Sequence, residues 1–383
     1  MRPLSLQRAA PAPVAPTLER LRRRIDRLDA EVLARLGERM RLVEQIRRVK
    51  QASGDGVYAP ERERAQLERL ERLNRSAGSP LAPEALEAIF REVLSASYAL
   101  QGPLSVAYLG PRGTFSERAA REQFGSSTRM VPVGSIPGVF RAVERGQATF
   151  GVVPVENSTE GMVGQTLDAF VDSPLKIVAE RELAVRHALL GRMRSVKQVR
   201  RVVSHPQSLA QCREWLARSL PDVPTLEVAS NALAAETAAR TQSTAAIAGR
   251  EAATPYKLRV LADNIQDLAR NVTRFVVLSA RETTAAGGSG KGAPAASKIS
   301  LLFSVKNEAG MLHRSLQSFA THGLDLCKIE SRPMRGRAWD YLFFVDFRGH
   351  IGDPGVRRAI AAMKKHCVWL KVLGSYAAAR QVA

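Results

Sequence analysis

A chain of 383 residues with a net charge of +20 and a pI near 10.7 is long enough for two or three domains, each with its own core. The basic balance points to anionic partners, but the absence of zinc-finger spacing and of uninterrupted basic blocks argues against nucleic acid. Three widely spaced cysteines (Cys212, Cys327, Cys367) imply no disulfide framework, and no run is apolar enough to span a bilayer, so the expected compartment is the cytoplasm.

Residues 1–16 form an Ala/Pro-rich tail that is expected to be disordered. Thr17 then reads as the cap of a long helix, with Leu18, Leu21, Ile25, Leu28, Val32, Leu36, Val43 and Ile46 at helical spacing. Run on to Lys50, it would be about 50 Å long, too long for one small unit to cover, which predicts a second subunit beside it. Arg39 and Lys50 fall in the middle of the apolar stripe and Arg22 at its edge, so anions are expected to meet them. Gly54-Asp55-Gly56 turns the chain, and Pro60 opens a second helix carrying Arg62 and Glu63. A third helix from about Pro83 has Leu86, Ile89, Phe90, Val93 and Leu94 on its core face, continued in polar form by Ser97 and Gln101. Three helices thus aim polar groups at one interior, where helical folds build ligand sites.

The run Leu21-Arg22-Arg23-Arg24-Ile25-Asp26-Arg27-Leu28-Asp29, with Glu38-Arg39, Lys50, Arg62-Glu63 and Ser97-Tyr98-Ala99-Leu100-Gln101, resembles the all-helical chorismate mutase domain. The resemblance covers residues 17–102 and implies an intertwined dimer that folds chorismate for a Claisen rearrangement to prephenate. It implies that Arg22, from the partner subunit, and Arg39 hold the two carboxylates, and that Lys50 and Gln101 bond the ether oxygen. Glu63 would meet the substrate hydroxyl with Arg62 in support, and Ser97 would touch a carboxylate. Relatives often carry an acid where Ala59 stands, so contact there would come from backbone or methyl alone. A pericyclic step needs only a compact conformer and donors where charge develops, which suits these residue types.

From residue 103 to 281, strands alternate with helices and end in polar loops, which indicates two α/β lobes around a cleft. Ser105–Leu109 runs into Gly110-Pro111-Arg112-Gly113-Thr114-Phe115-Ser116, whose amides and hydroxyls could receive an anion. A second strand leads to a loop at Glu156-Asn157-Ser158, a third to Ser204-His205-Pro206, and Phe275-Val276-Val277-Leu278 continues from Asn271-Val272-Thr273-Arg274. Together these loops and Thr273-Arg274-Phe275 resemble prephenate dehydratase, a fold similar to type II periplasmic binding proteins. The resemblance implies that Thr273 donates to the departing hydroxyl of prephenate while loss of the carboxylate supplies electrons. Thr114, Ser116, Asn157, Ser158 and Arg274 would bind prephenate, Arg274 through a carboxylate. Neither metal nor organic cofactor is called for. His205, with no carboxylate placed for it, reads as a packing residue.

Thr283 to Ser297 is a Gly/Ala/Ser-rich linker, placed at residues 282–297. Residues 298–383 then give a βαββαβ order, an α+β ferredoxin-like unit. Asn307-Glu308-Ala309-Gly310-Met311-Leu312 and Glu330-Ser331-Arg332-Pro333 resemble the phenylalanine-binding ACT domain. That resemblance implies an effector site at Asn307, Gly310, Leu312, Glu330, Ser331, Arg332 and Pro333. The whole chain therefore reads as a bifunctional mutase–dehydratase, at least a dimer, with phenylalanine as effector. The alternative is a non-catalytic small-molecule sensor that reuses the cleft and the ACT unit; it needs neither Thr273 nor the mutase side chains.

Overall fold

The computed structural model describes residues 17–53, 57–268, 270–281, 297–333 and 341–379. The expected tail, the Gly54-Asp55-Gly56 turn and the linker up to residue 296 lie outside the described residues. The chain divides into two compact units, Met1–Asp55 and Gly56–Ala383.

The first unit is α1 (Leu18–Ser53), a helix of 36 residues. Its stripe is open: Leu21, Ile25, Leu28 and Val32 are all exposed, while Val43 is buried. Thr17, just ahead of the helix, accepts from the Arg20 amide at 3.4 Å, as the capping reading requires.

The second unit opens with α2 (Pro60–Ser76) and α3 (Pro83–Gln101), each begun by a proline whose missing N–H costs nothing at that position. The first lobe follows: β1 (Ser105–Leu109), α4 (Phe115–Phe124), β2 (Arg129–Val133), α5 (Ile136–Glu144), β3 (Phe150–Asn157), β4 (Gly161–Met162), α6 (Gly164–Asp172) and β5 (Lys176–Ala184). The chain then builds the second lobe from β6 (Ala188–Gly191), β7 (Arg201–Ser204), α7 (Pro206–Ala210), α8 (Arg213–Ser219), β8 (Thr225–Glu227), α9 (Asn231–Arg240), β9 (Thr244–Ala248) and β10 (Arg259–Ala262). It returns to the first lobe as β11 (Val272–Ser279). The sheet orders are β2-β1-β3-β11-β5, with β4 on β3, and β10-β6-β9-β7-β8. β11 lies antiparallel between β3 and β5, so the end of the middle segment is pinned at the centre of the first sheet.

The last segment is β12 (Ser297–Ser304), α10 (Met311–Thr321), β13 (Leu326–Pro333), β14 (Tyr341–Arg348), α11 (Pro354–Lys364) and β15 (Trp369–Ala377). Its antiparallel order β13-β14-β12-β15 is the ferredoxin-like one. One face of this sheet carries α10 and α11, with Phe319 of α10 packed among Phe303 of β12 and Phe347 of β14. The other lies against the first lobe so closely that a Cβ on Gly374 would stand 2.1 Å from the Ile177 carbonyl oxygen.

Two features depart from the sequence reading. Glu156 and Asn157 belong to β3 rather than to a loop beyond it, because the strand pairs with β11 up to Asn157–Thr273. And the sequence reading has no strand where β5 runs through Glu180-Arg181-Glu182, with Glu180 buried and paired to Arg274 and Lys298. Packing also crosses the expected boundary at residue 102. Tyr58, Leu67, Leu94 and Tyr98 share one core with Tyr108, Phe124 and Phe150. The Tyr58 ring lies 5.0 Å from Phe124 and 5.0 Å from Phe150, contacts worth roughly 0.5–1.5 kcal/mol each beyond area burial.

Candidate active sites

Thr273 is the cross-strand partner of Asn157, so the two side chains share one face of the first sheet. Asn157 Nδ2 donates to Thr273 Oγ1 at 2.9 Å and to Asn271 Oδ1 at 2.8 Å. Its own carbonyl oxygen accepts from the amides of Thr159 (3.0 Å) and Glu160 (3.2 Å), which fixes which end of the amide is which. Both protons of that amide are then spent, one of them on the Thr273 oxygen. A hydroxyl whose oxygen accepts in this way keeps its own proton for another partner. Asn157 therefore makes Thr273 a donor.

The network continues into the second lobe. Asn271 Nδ2 donates to Gln211 Oε1 at 3.1 Å, and His187 Nε2 lies 2.8 Å from the same oxygen. Burial pushes the His187 pKa down, so near neutral pH the ring is uncharged and carries its proton on Nε2, facing an obligate acceptor. The Phe115 ring meets His187 edge-on at 5.8 Å. Asn271, Gln211 and His187 were not singled out as site residues from sequence. His187 and Gln211 lie 86 and 62 residues before Thr273 (273 − 187 and 273 − 211), and no local pattern links them.

The other expected prephenate contacts sit as follows. Thr114 caps α4: its Oγ1 accepts from the Glu117 amide at 3.2 Å and donates to the Leu109 carbonyl at 3.0 Å. Ser116 is buried in the first turn of α4. Ser158 Oγ accepts from the Val272 amide at 3.0 Å, extending the β3–β11 ladder by one residue. His205 precedes Pro206 at the start of α7, and its amide donates to Asn231 Oδ1 at 3.3 Å.

Arg274 departs from expectation. Adjacent strand residues point to opposite faces, and Arg274 faces the C-terminal sheet, away from the Thr273 face. Its Nη1 is hydrogen-bonded to Asp346 and lies 3.3 Å from Glu180, and its Nε is 3.3 Å from Glu156. Lys298 joins Glu180 at 2.7 Å, and Lys328 joins Glu156. Three cations thus meet three carboxylates. The ion pairs of the guanidinium are with protein carboxylates, Asp346, Glu180 and Glu156.

The mutase residues fall on both units. Arg22, Arg39 and Lys50 lie along α1, and Arg39 and Lys50 are within about 20° of one another around the helix axis. In the second unit, Ala59 precedes α2 without a side-chain cap, and Arg62 is exposed. Glu63 is buried, its Oε1 taken by Arg91 and its Oε2 by the Tyr98 hydroxyl at 2.7 Å. Ser97 Oγ bonds back to the Val93 carbonyl at 2.6 Å, and Gln101 Nε2 to the Ser97 carbonyl at 3.2 Å. Gln101 Oε1 is buried without a hydrogen-bond partner among the described residues.

Among the effector candidates, Gly310 stands at φ +80°, a conformation that favours glycine, and begins α10 ahead of Leu312. Asn307 and Ser331 are exposed, as is Pro333, while Glu330 is half-buried on β13. Arg332 forms a two-point ion pair with Asp168 of α6, at 3.0 and 3.1 Å.

Helices that carry cations and a buried carboxylate, joined to a two-lobed α/β unit with an oriented hydroxyl, define a multidomain enzyme acting on small carboxylic acids. Comparison with known proteins gives the particular family. A chorismate mutase type II model matches residues 21–102, and a prephenate dehydratase model matches residues 106–283. The bifunctional chorismate mutase/prephenate dehydratase of Aquifex aeolicus is 43% identical, over 94% of this chain and 97% of that protein. The crystal structure of an Arthrobacter aurescens prephenate dehydratase in complex with L-Phe superposes with a TM-score of 0.64 at 31% identity, over 72% of this chain and 90% of that one. GqqA, described as a quorum quenching acylase, is equally similar in fold (TM-score 0.64, 27% identity, 72% of this chain and 98% of that one), so the fold alone does not fix the chemistry. The chain belongs to the family of bifunctional chorismate mutase/prephenate dehydratases.

Proposed function

We propose that this chain rearranges chorismate to prephenate on its helical segment and converts prephenate to phenylpyruvate, water and carbon dioxide in its two-lobed unit. The observation that carries the second reaction is the amide clamp on Thr273. Aromatisation of prephenate expels a hydroxide from one ring carbon as the carboxylate leaves another as carbon dioxide. A proton aimed at the departing oxygen lowers that barrier. Threonine is a weak acid in water, so its value lies in being fixed beforehand, largely out of solvent, with its lone pair already occupied by Asn157. Thr114 and Ser158 have hydroxyls engaged by backbone, and with the buried Ser116 would offer substrate their remaining hydrogen-bonding capacity.

For the rearrangement, Arg22 and Arg39 would hold the substrate carboxylates, Lys50 and Gln101 the ether oxygen, and Glu63 the hydroxyl, with Arg62, Ser97 and Ala59 at the margin. The exposed stripe of α1 supports assembly as a dimer or larger, in which a second copy covers Leu21, Ile25, Leu28 and Val32. The ferredoxin-like order of residues 298–383 supports an ACT unit that binds phenylalanine as effector through Asn307, Gly310, Leu312, Glu330, Ser331, Arg332 and Pro333. Domain limits of 17–102 and 103–281 are read beside matches over 21–102 and 106–283, and the limit 298–383 rests on the ferredoxin-like strand order alone. No described helix is long and apolar enough to cross a membrane, which accords with a cytoplasmic enzyme.

The test is Thr273→Ala. Phenylpyruvate formation should disappear while chorismate is still consumed and prephenate accumulates. Retained dehydration by the folded variant would remove Thr273 from the reaction.

A further inference from the structure

Glu63 lies on α2 with its side chain 4% exposed, and a carboxylate so buried is costly to keep ionised unless a cation and donors meet it. The cation is Arg91, seven residues before Tyr98 on α3, so both project from the same side of that helix. Arg91 is itself largely covered, its side chain 11% exposed, and held at three points: Nη1 to Glu63 Oε1 and, at 3.2 Å, to the carbonyl of Gln123 on α4, and Nη2 to Glu87 Oε1 at 2.7 Å. Arg181 of β5 steadies Glu87 from the far side at 3.4 Å. The guanidinium is thus aimed at Glu63 by the first lobe as well as by its own helix.

We propose that Arg91 is a positioning residue for the mutase reaction, the counter-ion that keeps Glu63 ionised and oriented as acceptor for the substrate hydroxyl. The proposal rests on the reading of Glu63 as a substrate contact. Each Glu63 oxygen accepts one bond from these two residues, Arg91 on Oε1 and Tyr98 on Oε2, and a carboxylate oxygen has capacity for a second.

The charged and titratable groups around Glu63 are Arg91, Glu87 and Tyr98 from α3, Arg181 from β5 and Tyr58 from the segment before α2. Burial pushes the Glu63 carboxyl up, and Arg91 is the strongest influence holding it down. Without Arg91 the carboxyl should take up its proton at a pH closer to neutral. The sign follows: a variant lacking Arg91 has a protonated Glu63 at low pH and regains the carboxylate as pH rises.

The experiment follows chorismate consumption by the full chain between about pH 6 and 9, with phenylpyruvate formation from prephenate as the check on folding. Arg91→Met should lose about tenfold or more at the acid end and recover toward the alkaline end, since one unit of pKa shift is a factor of ten in ionised fraction. Arg91→Lys, which restores a cation, should stay within about threefold of wild type with no new titration. Glu63→Gln should be weak and flat across the range. A wild-type profile in Arg91→Met, or a loss by one constant factor at every pH, overturns the proposal. Full activity in Glu63→Gln would overturn the reading of Glu63 and the proposal with it, whereas a weak Glu63→Gln beside a flat Arg91→Met overturns the role of Arg91 alone. If Arg91→Met also loses the dehydratase, Arg91→Gln carries the test: it keeps a hydrogen-bond donor but removes the charge, and its mutase should weaken toward acid pH in the same sense, a flat profile again overturning the proposal.

Discussion

Thr273 and Arg274 are consecutive on β11, yet the faces they enter are built by opposite rules. On the Thr273 side the partners are neutral amides, Asn157 and Asn271, followed by Gln211 and an uncharged His187. On the Arg274 side the partners are ions, Glu156, Glu180 and Asp346, balanced by Lys298 and Lys328. Neutral amides fix where a hydroxyl proton points without a charge of their own, so the orientation does not change with pH. Matched buried ions do something different: they tie the C-terminal sheet to the first lobe and penalise any rearrangement that separates them. The difference puts an oriented hydroxyl on one face of the strand and an ion-pair cluster on the other.

The largest effect expected from breaking this division is at Arg274. Arg274→Met should cost about 3–5 kcal/mol of stability, because it leaves the buried Asp346 carboxylate without its cation, while Glu180 and Glu156 keep Lys298 and Lys328. Thermal denaturation should show it, while KM for prephenate in protein that remains folded should change little. A raised KM with unchanged stability would restore the substrate-carboxylate role expected from sequence. Next is Asn157→Asp, which replaces the donor to Thr273 with an acceptor and turns the hydroxyl inward. Dehydratase kcat should fall about 100-fold, as for loss of one oriented donor, with the mutase unchanged. Steady-state assays of both activities decide it.

A smaller effect is expected at Gln101, where an amide would donate to the ether oxygen at any working pH. Glutamate donates only when protonated, so Gln101→Glu should be a mutase weakened about tenfold at neutral pH that recovers as pH falls. Full activity from pH 6 to 8 would exclude Gln101 as the ether donor. The smallest concerns His187, whose folded-state pKa lies below its unfolded value. Below about pH 6.5 the unfolded chain takes up a proton that the native ring resists, so native stability should decline there as pH falls. His187→Gln should flatten that part of the stability curve, and urea denaturation across pH would reveal it.

Much of the fold was legible because it obeys a simple period. The α1 stripe, the polar continuation at Ser97 and Gln101, and the strand-helix order of residues 298–383 all follow from side-chain spacing. The placement of Thr273 at the head of a buried strand was legible from the β-branched run that follows it, whereas its role rests on the family resemblance. The role of its neighbour was not legible. Motif adjacency suggests a shared task, whereas the two-residue period of a strand sends Arg274 to the other face. β5 was missed because Glu180-Arg181-Glu182 reads as solvated until its partners from β11 and β12 are known. Arg91 was missed for the same reason: a charge on a helix looks exposed when the opposing carboxylate lies 28 residues away. The union of Tyr58 and Tyr98 with Phe124 and Phe150 is a long-range packing event that leaves no local mark.

The central claim is that one chain holds two activities on separate sets of side chains. Its most direct test is product analysis, by proton NMR, of folded Thr273→Ala and Lys50→Ala proteins, each given chorismate and, separately, prephenate. Thr273→Ala should turn chorismate into accumulating prephenate and leave added prephenate untouched. Lys50→Ala should leave chorismate nearly unconsumed while turning added prephenate into phenylpyruvate at the wild-type rate. Loss of both reactions in either variant, or phenylpyruvate from prephenate in Thr273→Ala, would contradict the account.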